Sequence, residues 1–342
     1  MNRERKAIIV GVAGTALDEG ERRLFRRLPP AGFILFRRNC ENPAQLRRLV
    51  AELRGLFDGR PVPIFVDQEG GRVVRLAPPH WPTFPAAATF GRLWAGDPDR
   101  AREAVALFAT ALAALLQTVE MDIDCAPVLD VPDGETSEVI GDRAFAEDAA
   151  VVAELGRIFV TAMERCGIAP VIKHIPGHGR ARVDSHEQLP IVEVPREALE
   201  ARDFPPFRRC AHAPFAMTAH VLYTALDPER PATLSPRIIS EVIRGTIGFR
   251  GILISDDLAM GALSGDPAER AVKALEAGCD LALLCSCEAG IREAALEAVP
   301  RISEPTAARL DALMRRLRGL RRPLPLEAIR QQLELRLAGG DA

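Results

Sequence analysis

The chain has 342 residues, 48% of them hydrophobic and 27% charged, with a formal net charge of −3 and a sequence pI near 6.1. That length holds one large α/β barrel or two ordinary domains. The slightly acidic balance argues against a nucleic-acid binder, which would carry a basic face.

The N-terminus is basic over residues 3–6 and apolar over 7–17, which mimics a signal peptide. Gly11 and Gly14 interrupt the apolar run, however, and the acidic segment 18–21 follows at once. A first strand in a cytoplasmic protein is the favoured reading. No apolar run approaches the roughly 18 residues of a membrane helix. The seven cysteines are scattered, odd in number and free of any CxxC pair, so they read as reduced thiols. Cys285 and Cys287 are a weak metal candidate, because no second Cys/His pair lies near them.

Short apolar runs recur over 7–12, 32–36, 62–66, 123–131, 169–172, 215–218, 251–254 and 281–284. Runs of this length suggest strands buried on both faces, as in a parallel sheet. Amphipathic segments predict helices over 43–57, 98–118, 147–166, 195–210, 235–245 and 267–278. Two more, 304–320 and 325–337, follow the last strand. In the first of these Pro43 suits the opening helical position, and Leu46, Leu49, Val50, Leu53, Leu56 and Phe57 share a face. Eight strands, most separated by a helix, fit a single (β/α)8 TIM barrel spanning 1–342 with additional C-terminal helices. A doubly wound sheet is the alternative, but the only phosphate-loop candidate is a lone GxxG at Gly11–Gly14. The stretches 77–88 and 132–145 read as long βα loops.

In a barrel, catalytic groups stand where strands end. Here the strand ends carry Arg37, Arg38 and Asn39; Asp67, Gln68, Glu69, Arg72 and Arg75; Asp130, with Asp142 and Arg143 beyond; Thr218 and His220; and Ser255, Asp256 and Asp257. The segment 169–190 is the richest. It breaks at Pro176 and Gly177 into a loop with Lys173, His174, His178, Asp184 and His186, three of the chain's six histidines and one of its three lysines. A polar surface loop or a structural ion-pair network could look similar. The histidines do not follow HExxH spacing, and no GxSxG elbow is present. Carboxylates, histidines and hydrogen-bonding cations remain, a set suited to a polyhydroxylated substrate such as a sugar.

Four motifs, VDQEGGRVVRL (66–76), IGDRAF (140–145), KHIPGHGRARVDSH (173–186) and ISDDLAM (254–260), resemble the family 3 glycoside hydrolases. More closely, they look like the single-domain NagZ-type β-N-acetylglucosaminidases of bacterial cell-wall recycling. The similarity runs over about 9–280, with Ile175 standing where the family usually has Phe. The resemblance implies a retaining exo-β-N-acetylglucosaminidase acting on GlcNAc-1,6-anhydroMurNAc fragments. It implies that Asp256 is the nucleophile, His186 the acid/base and Asp184 its orienting partner, with Asp67, Arg75, Arg143, Lys173 and His174 holding the sugar. An imidazole acid/base can give and retake a proton near neutral pH without a raised carboxyl pKa. Asp257 could be proposed as nucleophile instead, but strand alternation would point it the other way. A related β-glycosidase or glycoside phosphorylase, and a catalytically silent sugar-binding protein, are the alternatives. A monomer with a sugar or muropeptide substrate, and without cofactor, metal, nucleic-acid or membrane partner, is the expectation.

Overall fold

The computed structural model describes residues 5–57, 61–134, 136–286 and 288–339; Arg3 and Cys287 lie outside them. Eight parallel strands close into a barrel in sequence order: β1 (Lys6–Gly11), β2 (Pro30–Leu35), β3 (Ile64–Val66), β4 (Ile123–Asp124), β5 (Ala169–Ile175), β6 (Phe215–Thr218), β7 (Ile252–Asp257) and β8 (Leu281–Leu284). β8 pairs with β1 through Ile8↔Ala282 and Val10↔Leu284, which completes the ring. This is the predicted α/β barrel, and each strand falls on or beside its predicted apolar run.

The core has two layers. Ile9, Ile34, Phe65, Ile123, Val171, Met217, Ile254 and Leu283 pack inside the barrel. Their neighbours Ile8, Val10, Phe33, Leu35, Ile64, Val66, Ile172, Leu253 and Leu284 pack outward under the helices. This in-and-out alternation is why the runs are apolar without a gap. The helix Glu304–Leu320 lies beyond the last strand, and its Leu310, Met314 and Leu317, on one face at helical spacing, join the interior cluster. It therefore plugs the N-terminal end of the barrel, with Leu317 O beside Gly167, just before β5.

Three departures from the predicted elements matter. The run 123–131 pairs regularly only over β4. Regular pairing stops after Asp124, and Pro127, which has no N–H to give a ladder, follows in the irregular stretch. The chain still follows β5, with Leu129 N donating to Lys173 O and Lys173 N to Pro127 O, and so delivers Asp130 beside His174. β5 itself extends past 172, with a register shift against β6 between Lys173 and Ile175. Finally, helix Pro98–Thr118 is long and apolar enough, at a mean hydropathy of 1.2, to cross a membrane by length and composition, and 61% of that apolar window is buried. Its Ala and Leu side chains pack against the helices Ala149–Arg165, Leu326–Ala338 and Ala88–Gly96, which accounts for the apolarity.

Candidate active site

At the C-terminal ends of the strands lies a cavity of about 290 Å³. β3, β5 and β7 position most of its polar lining, and the loops after β4 and β5 supply the rest. Asp67, Arg75, Arg143, Lys173, His174, His186 and Asp256 all line it. Asp184 stands behind His186 with its Oδ1 2.7 Å from the imidazole Nδ1. The structure thus gathers all eight sequence-predicted site residues in one place.

Lys173, almost fully buried, is the hub of one half. Its Nζ lies 2.9 Å from Asp67 Oδ1 and 2.7 Å from Glu69 Oε1. Arg75 meets Asp67 at 3.1 Å. Arg143 forks onto both oxygens of Glu69 at 2.8 Å. Two carboxylates and three cations therefore satisfy one another, as buried charges must. Burial alone would raise Asp67 and Glu69, but Lys173 with Arg75 holds Asp67 well below the usual carboxylate range, and Lys173 with Arg143 holds Glu69 at about 2. Burial pulls Lys173 down, and the two carboxylates more than reverse this. The Arg75 guanidinium also stands 5.2 Å from the centroid of the Phe36 ring.

The other half is built on histidines. Asp130, fully buried, accepts the backbone N–H groups of His174 and His178 at 3.1 and 2.6 Å, and its Oδ2 lies 2.7 Å from His174 Nδ1. Held this way, His174 donates from Nδ1 to the carboxylate and turns Nε2 elsewhere. At the end of β7, Asp256 and Asp257 are treated differently. Asp256 follows the inward alternation of Ile252 and Ile254, and its Oδ1 accepts the Asp257 N–H at 2.8 Å. Asp257 also borders the cavity, but its Oδ1 is tied to the backbone N–H of Cys285 and Ala259, at 2.9 and 3.0 Å. Burial would raise both carboxyls. At Asp256, nearby His174 and His220, the Asp257 N–H and Lys173 outweigh it and lower the pKa. At Asp257 burial prevails, and the adjacent Asp256 adds to it. His220 fixes the backbone here: its Nε2 lies 3.0 Å from Asp257 O and its Nδ1 2.7 Å from Thr233 Oγ1.

Asp184 and His186 stand on the loop after β5, 36% and 62% exposed at the side chain. Asp184 Oδ1 also accepts the His186 N–H at 2.8 Å. Burial raises the Asp184 carboxyl, and the His186 N–H and imidazole more than offset it, so its pKa is lowered. The loop rests on the segment after β7: Gly261 N donates to His186 O and Ala262 N to Ser185 O, at 3.0 and 3.1 Å. A carboxylate-backed imidazole on the loop after β5 and an ionised carboxylate at the end of β7 thus meet one cavity. Among the described residues no group of three His, Cys, Asp or Glu side chains is arranged to hold a metal.

The motifs assign no role to Glu69, Asp130, His178 or His220, although each stands at or just beyond a strand end rich in polar residues. Their charge state and the side chains they face were the missing signal, and both come from partners on other strands.

The profile described as "Glycosyl hydrolase family 3 N terminal domain" matches residues 10–320. A β-hexosaminidase of Alkalilimnicola ehrlichii is 43% identical over 283 residues, 82% of this chain and 80% of its own. A β-hexosaminidase of Stenotrophomonas maltophilia is 39% identical over 313 residues, 90% and 91% of the two chains. Among solved structures, NagZ from Neisseria gonorrhoeae in complex with N-trifluoroacetyl-D-glucosamine superimposes with a TM-score of 0.83 at 32% identity, covering 98% of this chain and 97% of that one.

Proposed function

This chain belongs to glycosyl hydrolase family 3 and is a β-hexosaminidase, and from that premise we propose that it is a retaining exo-β-N-acetylglucosaminidase. Asp256 attacks the anomeric carbon and forms a covalent glycosyl-enzyme. His186 protonates the departing glycosidic oxygen, then takes a proton from the water that releases the sugar. Asp184 accepts from Nδ1 of His186, so the tautomer is fixed and the imidazolium is stabilised, the part an Asp plays behind a triad histidine. Two groups flanking the bond, one nucleophilic and one proton-shuttling, are what retention requires.

The observation that carries this reading is the pairing within one cavity of a buried carboxylate with a lowered pKa and a carboxylate-backed imidazole. Asp67, Arg75, Arg143, Lys173 and His174 surround the remaining space with donors and acceptors for sugar hydroxyls. The substrate is a GlcNAc-1,6-anhydroMurNAc fragment, with or without its peptide, released in peptidoglycan recycling. The protein works as a cytoplasmic monomer of one catalytic barrel domain.

The test compares a chromogenic β-GlcNAc with the matching β-glucoside, with and without phosphate. Preferential, phosphate-independent release from β-GlcNAc is expected. A slow fluorinated GlcNAc analogue should then label Asp256, read by peptide mass. Preference for the glucoside or dependence on phosphate would move the protein to another branch of the family, and a label on Asp257 would overturn the nucleophile assignment.

A further inference from the structure

His178 lies in the same loop as the acid/base but has no part in the chemistry above. It is 2% exposed, and its ring stands 5.5 Å from that of His174. Its Nε2 lies 3.2 Å from Ser185 Oγ, whereas its buried Nδ1 meets no hydrogen-bond partner. Burial pushes its pKa down to about 4, so the ring is neutral at pH 7. A buried N–H without an acceptor is rare and costly. The proton therefore belongs on Nε2, where it donates to Ser185.

Ser185 is the inward-facing member of the Asp184–Ser185–His186 turn. It is 4% exposed, between two side chains that are 36% and 62% exposed. The Ser185 hydroxyl thus ties the turn to the cavity wall, and the wall at that point is His178. His178 is itself pinned by its N–H to Asp130, the carboxylate that also orients His174. One buried carboxylate therefore sets the position of both a sugar-facing imidazole and the support of an exposed one.

We infer that His178 is a positioning residue which, through its hydrogen bond to Ser185, sets where the His186 imidazole stands over the cavity. The inference rests on His186 being the acid/base. A proton donor works only within hydrogen-bond reach of the atom it protonates, and a displacement near 1 Å costs roughly a hundredfold in rate. The Asp184–His186 pair moves with its turn, so it cannot supply this placement by itself.

The test measures kcat/KM for a series of aryl β-GlcNAc substrates of graded leaving-group acidity with His178→Ala, His178→Gln, Ser185→Ala and His186→Ala. Ser185→Ala and His178→Ala should lose about tenfold or more on the poorest leaving group and little on the best, with KM nearly unchanged. His178→Gln, which can present an amide N–H near the position of Nε2, should recover most of the loss. Uniform loss across the series in Ser185→Ala, alongside strong leaving-group dependence in His186→Ala, would reduce His178 to a structural role. No leaving-group dependence in His186→Ala would remove the acid/base assignment, and the inference with it. Should His178→Ala fail to fold, Ser185→Ala decides, since it removes only a hydroxyl.

Discussion

Asp256 and Asp257 are neighbours in one strand with carboxyls of opposite disposition. Asp256 is held ionised by nearby His174 and His220, the Asp257 N–H and Lys173, while Asp257 is pushed up by burial and occupied by backbone N–H groups. Asp256→Ala should abolish turnover and leave the circular-dichroism spectrum unchanged; wild-type activity would exclude Asp256 as nucleophile. His186→Ala should slow poor leaving groups far more than good ones, because a good leaving group needs little protonation. The lowered Asp256 pKa also has a sign. A lowered carboxyl loses its charge only as pH falls below the ordinary value near 3.9. With a good leaving group, His186→Ala should therefore keep kcat/KM flat on the acid side down to about pH 4. A fall already evident at pH 6 in that variant would contradict the assignment.

Two loops matter most at the level of elements. The segment after β5 carries His186 and the segment after β7 follows Asp256, and backbone hydrogen bonds join them. Gly261 permits that closeness, because a Cβ there would stand 2.7 Å from His186 O and 2.8 Å from Glu187 O. Gly261→Ala should push the two loops apart and lower kcat at least tenfold, by the geometric argument that small misplacements are costly, with little change in thermal stability. Full activity would show that the contact does not set the geometry. Gly179 has a comparable reason: its missing Cβ makes room for the Val131 carbonyl, 2.2 Å from where that atom would be. The DSH and SDD motifs are legible because each is local in sequence. Asp130 is not, since its task depends on the irregular course of the chain past Pro127.

For the whole molecule, the buried charge network and the barrel plug carry separate consequences. Glu69 has a folded pKa of about 2 against an ordinary 4.5. A lowered carboxyl contributes stability that is full above its unfolded pKa and is lost as pH falls through its folded one. Thermal midpoints should therefore drop between about pH 4.5 and 2, with Asp67 acting in the same direction. Glu69→Gln should flatten that drop and lower the midpoint at pH 7, since Lys173 and Arg143 lose a partner. Parallel pH curves for the two proteins would exclude Glu69 as a contributor. At the far end of the barrel, Met314 is fully buried on helix Glu304–Leu320. Met314→Ala should cost about 2–5 kcal/mol of stability in denaturant unfolding while leaving kcat unchanged, because the helix packs at the N-terminal end of the strands, opposite the cavity, with Leu317 O beside Gly167. A loss of kcat at full folding would link the plug to the site.

By itself the sequence determined the alternation of strand and helix and the barrel class, and it carried the motifs whose resemblance to a known family marks the eight candidate site positions. Apolar periodicity is a local property, and the motif residues stand in short contiguous strings. Tertiary structure decided which of those residues share charge, what fixes each imidazole, and how the loops after β5 and β7 lean on one another. Those relations join residues as distant as Asp67 and Lys173, or Gly261 and His186, and they exist only once the barrel has closed. Coulomb interaction and hydrogen bonding depend on separation in space, which no local pattern in the chain encodes.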